Sequence, residues 1–283
     1  MRPITTAALV AVLLPSFASA QEPTPVRLRF DAVVRDQPVA CGAKYDGIGT
    51  TASTISIADF RFYVSRVRLV TADGAEVPVT LEQDGLWQHE DVALLDFEDG
   101  TGACANGTPE LRDFVAGTVP PGDYRGVRFD IGMPFDLNHR EPTVAPSPLN
   151  LSRLFWSWNG GYKFARLDLR TTGQPRGWMI HLGSTGCSPS DTPSTVPMSC
   201  VHPNRVDVNL ASFNTSTDVV RLDVAALLRE SNVDANQAET PLGCMSGRSD
   251  AECPAILTAL GLAEDGTPQR VFSVHRPATA ARQ

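Results

Sequence analysis

The sequence contains none of the short motifs that mark several large enzyme classes. A Gly-x-Ser-x-Gly elbow, a His-Glu-x-x-His pair, a glycine-rich phosphate loop and a dinucleotide-binding fingerprint are all missing from the 283 residues. The corresponding hydrolases, zinc proteases, nucleotide hydrolases and dehydrogenases are therefore disfavoured. A hydrolase that uses two carboxylates stays open, because such a pair needs no local signature. On balance we expect a protein that is not an enzyme.

The sequence also lacks a hydrophobic run long enough to span a membrane, which needs about 20 residues. Its first residues form a shorter pattern, in which Arg2 precedes an apolar stretch at 7–14, Pro15 ends it, and Ala18-Ser19-Ala20 follow. This pattern predicts a cleaved secretory signal at 1–20 and an exported protein at 21–283, in the periplasm or outside the cell. Cations are in deficit as well, and the net charge of -8 disfavours nucleic acids and anionic membranes as partners.

No Cys-x-x-Cys motif occurs, which argues against a thioredoxin-type redox site and against c-type haem attachment. Six cysteines in an exported chain predict a disulfide framework instead. Six cysteines allow fifteen pairings. Proximity in the sequence favours Cys187 with Cys200 and Cys244 with Cys253, which leaves Cys41 with Cys104 across a long loop.

Helical periodicity is scarce, whereas period-two alternation is frequent. The apolar residues alternate along two clear runs, Val26, Leu28 and Phe30 and then Phe60, Phe62 and Val64, before a phase slip to Val67 and Leu69. Alternation of this kind is typical of strands with one buried face.

Turn signals separate these runs. Asp-Gly pairs at 73–74, 84–85 and 99–100 predict the three turns of a meander. Further strands are expected at 124–131, 162–169, 178–182, 205–210, 219–224 and 271–274, and short helices at 108–110 and 254–260. The fold class is therefore all-β, as a single β-sandwich domain with long disulfide-tied loops and one or two short helices.

The five histidines are the clearest candidates for metal chemistry. Trp87 and His89 are two residues apart, so on an extended chain their side chains share one face. The simpler interpretation is an aromatic and a histidine packed on a half-exposed sheet face. His181 lies on the predicted strand 178–182, and His139 follows a loop, where it either ligates a metal or makes a loop hydrogen bond. We expect His202 and His275 to have no role in the site.

An aromatic cluster spans 155–164 and contains a Gly-Gly turn. Large side chains packed under this turn are the favoured interpretation, because aromatic residues dominate core burial. The alternative is a ligand platform, which would make the protein a secreted carbohydrate- or surface-binding β-sandwich with Trp156, Trp158 and Trp178 as stacking residues.

Five blocks of the sequence, taken in order, resemble one family of periplasmic proteins. The blocks lie at 58–65, 87–99, 121–129, 156–164 and 181–187, and they are spread over most of the exported chain. Together they are similar to the MbnP-like proteins, the four-cysteine members of the metallo-mystery pair. The six cysteines of this chain exceed the four of the family pattern.

The resemblance implies a copper-binding protein whose partner, a MauG-like di-haem enzyme, oxidises one tryptophan to kynurenine. It implies that Trp87 and His89 are two of the copper ligands, that His181 is the distant third, and that His139 is a further candidate. An indole nitrogen is only a donor of hydrogen bonds, whereas opening the ring yields an aryl amine with a lone pair. With two imidazoles, such a site suits low-coordinate Cu(I) without any thiolate.

Overall fold

The structure is a computed structural model that describes residues 21–105, 107–157, 160–188, 197 and 199–277. The predicted signal at 1–20 and Trp158 of the aromatic cluster lie outside the described residues. Among the described residues, no helix is both long and apolar enough to cross a membrane.

In the described part of the chain, strands far outnumber helices. The strands are β1 Thr24–Val34, β2 Gln37–Pro38, β3 Tyr45–Ile48, β4 Ser53–Thr71, β5 Glu76–Pro78, β6 Thr80–Leu81, β7 Gln88–His89, β8 Val92–Asp96, β9 Phe114–Val119, β10 Tyr124–Ile131, β11 Phe155–Ser157, β12 Gly161–Tyr162, β13 Ala165–Thr171, β14 Trp178–Leu182, β15 Thr185–Ser188, β16 Ser199–His202, β17 Val206–Leu210, β18 Val219–Asp223, β19 Gly243–Cys244 and β20 Phe272–His275. The α-helices are α1 Phe135–Asn138, α2 Val224–Leu228 and α3 Cys253–Ala259, and single 3-10 turns lie at Gly102–Cys104 and Ser152–Leu154.

Two sheets form the framework. The smaller has the order β20-β18-β1-β9-β6 with β2 beside β1, and the larger has the order β17-β10-β4-β13-β14-β19. The long strand β4 organises the larger sheet: β13 and then β10 pair along one edge, while β3, β8 and β5 pair along the other, and β7 adds to β8. Two hairpins, β11 with β12 and β15 with β16, lie outside both sheets.

Aromatic side chains join the two sheets. Phe30 of β1 meets Phe129 of β10 with ring centroids 5.5 Å apart, and Phe272 of β20 meets Phe62 of β4 at 6.2 Å. All four rings are buried, and edge-to-face contacts of this kind add to the hydrophobic stabilisation of a core. The two layers and their shared core confirm the predicted β-sandwich.

The phase slip of the sequence has a physical cause in β4. Arg66 adopts a φ of 48°, and the register with β10 shifts at this point. An inserted residue of this kind is a β-bulge, which restores Val67 and Leu69 to the buried face.

The predicted meander is wrong at its second and third turns. After the third, at 99–100, the chain leaves β8 of the larger sheet and its next strand, β9, belongs to the smaller sheet. Gly85 does adopt a positive φ, but β6 before it pairs with β9 in the smaller sheet, and β7 after it pairs with β8 in the larger sheet. The chain therefore crosses between sheets where the Asp-Gly pair suggested a hairpin. Beyond this point, β7 and β8 form a tight hairpin, whose turn begins at Glu90 with a φ of 52°.

Of the two predicted helices, one is confirmed. Helix α3 begins with Pro254 in its first turn and is followed by Gly261 at a φ of 73°. No helix forms at 108–110, which is an irregular loop in which the Thr108 backbone amide donates to Glu98 at 2.9 Å. Helices α1 and α2 were not predicted, so the described chain has one helix more than expected.

The structure joins the six cysteines in the pairs that sequence proximity favours. Cys41 bonds to Cys104, Cys187 to Cys200 and Cys244 to Cys253. A framework of three disulfides is typical of extracellular and periplasmic proteins.

Candidate functional site

Trp87 and His89 lie on the small hairpin at the edge of the larger sheet. His89 is opposite Val92, and the Leu94 backbone amide donates to the Trp87 carbonyl at 2.8 Å, so the ladder continues through Trp87. Residues two apart on a ladder share a face, as the sequence predicted. Trp87 is half-buried against the core, and the side chain of His89 is 25% exposed.

Gln88, the residue between Trp87 and His89, anchors this strand through its side chain. Gln88 is buried on the opposite face, where its amide nitrogen donates to the Glu82 and Ala116 carbonyls and its amide oxygen accepts from the Ala116 backbone amide at 2.8 Å. Because β9 carries Ala116, these bonds hold the edge hairpin to the smaller sheet. Because Gln88 occupies one face of the strand, Trp87 and His89 share the opposite face.

Asp84 orders the approach to the hairpin. One of its carboxylate oxygens accepts from the backbone amides of Leu86, Trp87 and Gln88 at 2.7–3.0 Å. Burial alone would raise the pKa of Asp84, but these three hydrogen bonds and Arg112 lower it. The carboxylate therefore stays ionised and acts as a structural cap for the strand.

The imidazole of His89 has an acidic neighbour. Its Nε2 lies 3.2 Å from Glu90 Oε1, and Glu90 pairs with Arg140 at 2.7 Å. The hydrogen bond from Arg140 is the main cause that lowers the pKa of Glu90. Sequence reasoning missed Glu90 and Arg140, which are 50 residues apart and carry no local signal for their pairing.

The surface beside Trp87 is apolar. Ser147 donates from its hydroxyl to the Leu86 carbonyl at 2.7 Å, which draws the loop that contains Val144 onto the hairpin. Leu86 is 52% exposed and Val144 is 82% exposed.

The structure does not bring His181 together with His89. His181 pairs with Arg166 on β13, which is opposite Arg61 of β4, whereas His89 reaches β4 at Ser65 from the other edge. His89 and His181 lie two strands away from β4 on opposite sides, and their positions differ by four residues along β4. Their Cα atoms are therefore on the order of 20 Å apart. The structure therefore does not place His181 beside His89: both side chains point to the same sheet face, but this separation is too large for one ion to bind both. A ligand role for His181 stays a prediction.

His181 belongs to a buried charge network instead. Its Nε2 lies 2.8 Å from Asp168 Oδ1. Burial would raise the pKa of Asp168, but hydrogen bonds from His181 and Arg166 lower it to about 2. Burial lowers the pKa of His181, and Asp168 only partly opposes this shift. His181 is therefore a structural partner of a carboxylate.

The network continues across β4. Asp59 accepts from Arg61 Nε at 2.9 Å and pairs with Arg166 at 3.2 Å, and all three are largely buried. Next to Arg61, burial raises the pKa of Asp96 to about 7. Sequence reasoning did not single out Asp59 or Arg61, although they alternate with Phe60 and Phe62 and so had to share the sheet face opposite the aromatic core.

His139 faces a third region. Its Nε2 lies 3.2 Å from Asn138 Nδ2 and 3.7 Å from Cys200 Sγ, and its ring packs on Phe135. Its ligand atom lies within 4.8 Å of both sulfurs of the Cys187–Cys200 disulfide. The following residue, Arg140, is the one that contacts Glu90 beside His89.

Within the described residues, two groups of three side chains have the spacing of a metal site. They are His139 with Cys187 and Cys200, and Glu98 with Cys41 and Cys104. Both contain a disulfide, whose sulfurs are not thiolates and therefore are weak ligands.

The aromatic cluster packs as the favoured interpretation predicted. Tyr162 and Phe164 are buried beneath the β11–β12 hairpin, and Trp178 is 0% exposed, with its indole nitrogen donating to the Ala235 carbonyl at 3.2 Å. Trp178 therefore cannot serve in a surface platform with Trp156, which removes a main support for the carbohydrate-binding alternative.

Comparison with known proteins agrees with this fold. No curated protein sequence matches the chain. The family model for MbnP matches residues 23–246. The solved structure of MbnP from Methylosinus trichosporium is similar over 91% of this chain and 100% of its own, with 33% identity and a TM-score of 0.81. The chain belongs to the MbnP family.

Proposed function

We propose that the chain is a non-enzymatic, exported copper-binding protein whose site is centred on Trp87 and His89. In this proposal a MauG-like di-haem partner oxidises Trp87 to kynurenine, and the matured pair then binds Cu(I) for uptake, storage or homeostasis. The observation that carries the proposal is the placement of both residues on one face of an edge hairpin, with the imidazole of His89 partly exposed.

The chemistry of these two side chains fits the proposal. Unmodified Trp87 offers no lone pair, since an indole nitrogen only donates hydrogen bonds. Ring opening would supply an aryl amine beside an imidazole, and nitrogen donors of this kind suit copper. Glu90 lies against His89 Nε2, and a hydrogen bond from this nitrogen to the carboxylate would leave the lone pair on Nδ1 for a metal.

The two other predicted copper ligands, His181 and His139, are less well placed to bind the same ion. His181 is too far from His89 to share an ion and is bound to Asp168. His139 is directed to the hairpin disulfide, although the segment that carries it is tied to Glu90 by Arg140. We therefore restrict the core of the proposed site to Trp87 and His89.

The location in the proposal is the periplasm. The signal pattern at 1–20 supports export, and three disulfides favour an oxidising compartment. The di-haem partner is inferred from the family resemblance, and Leu86, next to Trp87 in the chain, is an exposed apolar residue.

The experiment compares three histidine variants produced together with the di-haem partner. His89→Ala should lose copper binding, measured by competition with a chromophoric Cu(I) chelator. His181→Ala should retain the affinity of the parent protein, and His275→Ala, in the smaller sheet, is the matched control. Loss of copper in the folded His181→Ala protein with retention in His89→Ala would contradict the proposed site.

A further inference from the structure

A second potential metal site lies at the β15–β16 hairpin. Cys187 and Cys200 are directly opposite each other, with Cα atoms 3.8 Å apart, and His139 Nε2 is 3.7 Å from Cys200 Sγ. The two sulfurs and one imidazole nitrogen all lie within 4.8 Å of one another. In the disulfide the sulfurs are committed to each other, so this group is not a metal site in the oxidised protein.

The spacing fits a tetrahedral ion that these three atoms would share. Zinc bonds of about 2.3 Å to sulfur and 2.0–2.1 Å to nitrogen imply donor separations of roughly 3.6 Å for N to S and 3.8 Å for S to S. The observed 3.7 Å from His139 Nε2 to Cys200 Sγ is close to the first value. Once the S–S bond is open, the two sulfurs therefore need only a small movement to reach the S-to-S separation of roughly 3.8 Å.

The sulfurs can be reached from two sides. Cys187 borders a cavity of about 340 Å³ together with Met245, and Cys200 borders another of about 200 Å³ together with Met133. Both cysteines are half-exposed. A small reductant and an ion can thus approach the hairpin.

Glu98, Cys41 and Cys104 have a similar spacing, but their disulfide is less accessible and their third donor is less available. Cys104 is 0% exposed, and the Glu98 carboxylate already accepts from the Gly100 and Thr108 backbone amides at 2.9 Å. Its carboxylate is therefore committed to the loop, and the adjacent disulfide is shielded.

We propose that Cys187, Cys200 and His139 form a redox-gated site for a thiophilic d10 cation such as Zn²⁺ or Cu⁺. A dithiol reductant would transfer two electrons and two protons to the Cys187–Cys200 bond and would itself become a disulfide. Binding of the cation then releases the thiol protons, and the neutral imidazole of His139 supplies the third lone pair at Nε2 in exchange for its 3.2 Å contact with Asn138 Nδ2. The proposal does not rest on copper binding at Trp87 and His89, because the two groups share no residue.

The test uses the full exported chain and Zn²⁺ as the probe. The protein is treated with limiting dithiol and desalted without oxygen, and alkylation with peptide mass mapping identifies the opened disulfide. Zn²⁺ affinity is then measured by competition with a chromophoric chelator. Co²⁺ in place of Zn²⁺ provides a thiolate charge-transfer band that reports sulfur ligation directly.

We expect Cys187–Cys200 to open before the two more buried disulfides and the reduced, folded protein to bind one Zn²⁺ at this hairpin. His139→Ala should weaken this binding by roughly tenfold or more, since loss of even an outer-shell partner of a metal costs 10–100-fold. His275→Ala is the matched control and should change nothing. The double variant Cys187→Ser/Cys200→Ser keeps the chain free of this disulfide without reduction and should bind no Zn²⁺ here.

Three results would overturn the proposal. The first is equal Zn²⁺ affinity of the reduced parent and reduced His139→Ala proteins. The second is reduction of this disulfide without any Zn²⁺ binding or Co²⁺–thiolate band while circular dichroism shows an intact fold. The third is unfolding of the chain when only this bond is opened, because the site requires the hairpin.

Discussion

Replacing Asp59 by Asn tests whether the buried charge network stabilises the larger sheet. Asp59 is 1% exposed and is the shared counter-charge of Arg61 and Arg166. Without it, the remaining ion pair of Arg61 among the described residues is a longer one of 3.8 Å with Glu98. Removing one partner of a buried ion pair costs about 3–5 kcal/mol when the remaining charge is left uncompensated. Because Glu98 and Asp168 still compensate the two arginines in part, we expect a loss near the lower end of this range.

The chain offers a control with the same local geometry. Asp123 and Arg125 are also two residues apart and pair at 2.8 Å, but both side chains are more than half exposed. Exposed pairs contribute little, so Asp123→Asn should leave the urea midpoint unchanged within error. The assay is equilibrium urea unfolding of each variant with its disulfides intact.

A rescue variant separates charge from packing. Apolar residues of similar volume in place of both partners, Asp59→Leu with Arg61→Met, should recover part of the lost stability, because a buried pair can often be exchanged for hydrophobic contacts. If Asp59→Asn is no more destabilising than Asp123→Asn, the reasoning about this network is wrong.

Three further predictions concern other parts of the fold. Replacing Cys41 and Cys104 by Ala should lower the free energy of unfolding by about 4 kcal/mol in the chain-entropy model, because their bond closes a loop with a sequence separation of 63, and thermal unfolding would report the loss. Burial raises the pKa of Asp96 to about 7, so between about pH 4 and 7 the folded protein holds a proton that the unfolded chain has released. The contribution of Asp96 to stability should therefore fall as the pH rises through this range, and Asp96→Asn should flatten the slope of stability against pH; an unchanged slope would contradict this assignment. Gly243→Ala should prevent β19 from docking, because Gly243 has a φ of 74° and a Cβ there would lie 2.1 Å from the Met179 carbonyl oxygen, which proteolysis of the folded protein would detect.

Local alternation was sufficient to predict much of the fold. Tyr124–Ile131 and Trp178–Leu182 were predicted with the bounds that the structure has, because apolar residues alternate along each. Even the bulge at Arg66 was visible as a phase slip. These features depend on neighbouring residues, which a sequence displays directly.

Strand pairing could not be predicted in the same way. The Asp-Gly pair at 84–85 indicated a turn, but nothing local indicated that the strands on its two sides belong to different sheets. Glu90 at a φ of 52° carries no turn signal, because a positive φ is uncommon for Glu. The hairpin that presents His89 was therefore missed as a separate element.

In the candidate site too, local features could be predicted and long-range features could not. The shared face of Trp87 and His89 followed from their spacing of two residues, which the structure confirms. The position of His181 depended on the pairing of its strand β14 with β13 and of β13 with one edge of β4, and that is a long-range property. The ligand roles of Trp87 and His89 stay predictions.

The copper affinity of Trp87→Phe, produced together with the di-haem partner, tests the central claim most directly. Phe keeps an aromatic ring in the half-buried position but cannot be opened to an aryl amine. The account predicts that the matured parent protein binds Cu(I) and that its Trp87 peptide shows the exchange of one carbon for one oxygen, whereas Trp87→Phe shows neither. Copper binding by Trp87→Phe as tight as that of the matured parent protein would contradict the account.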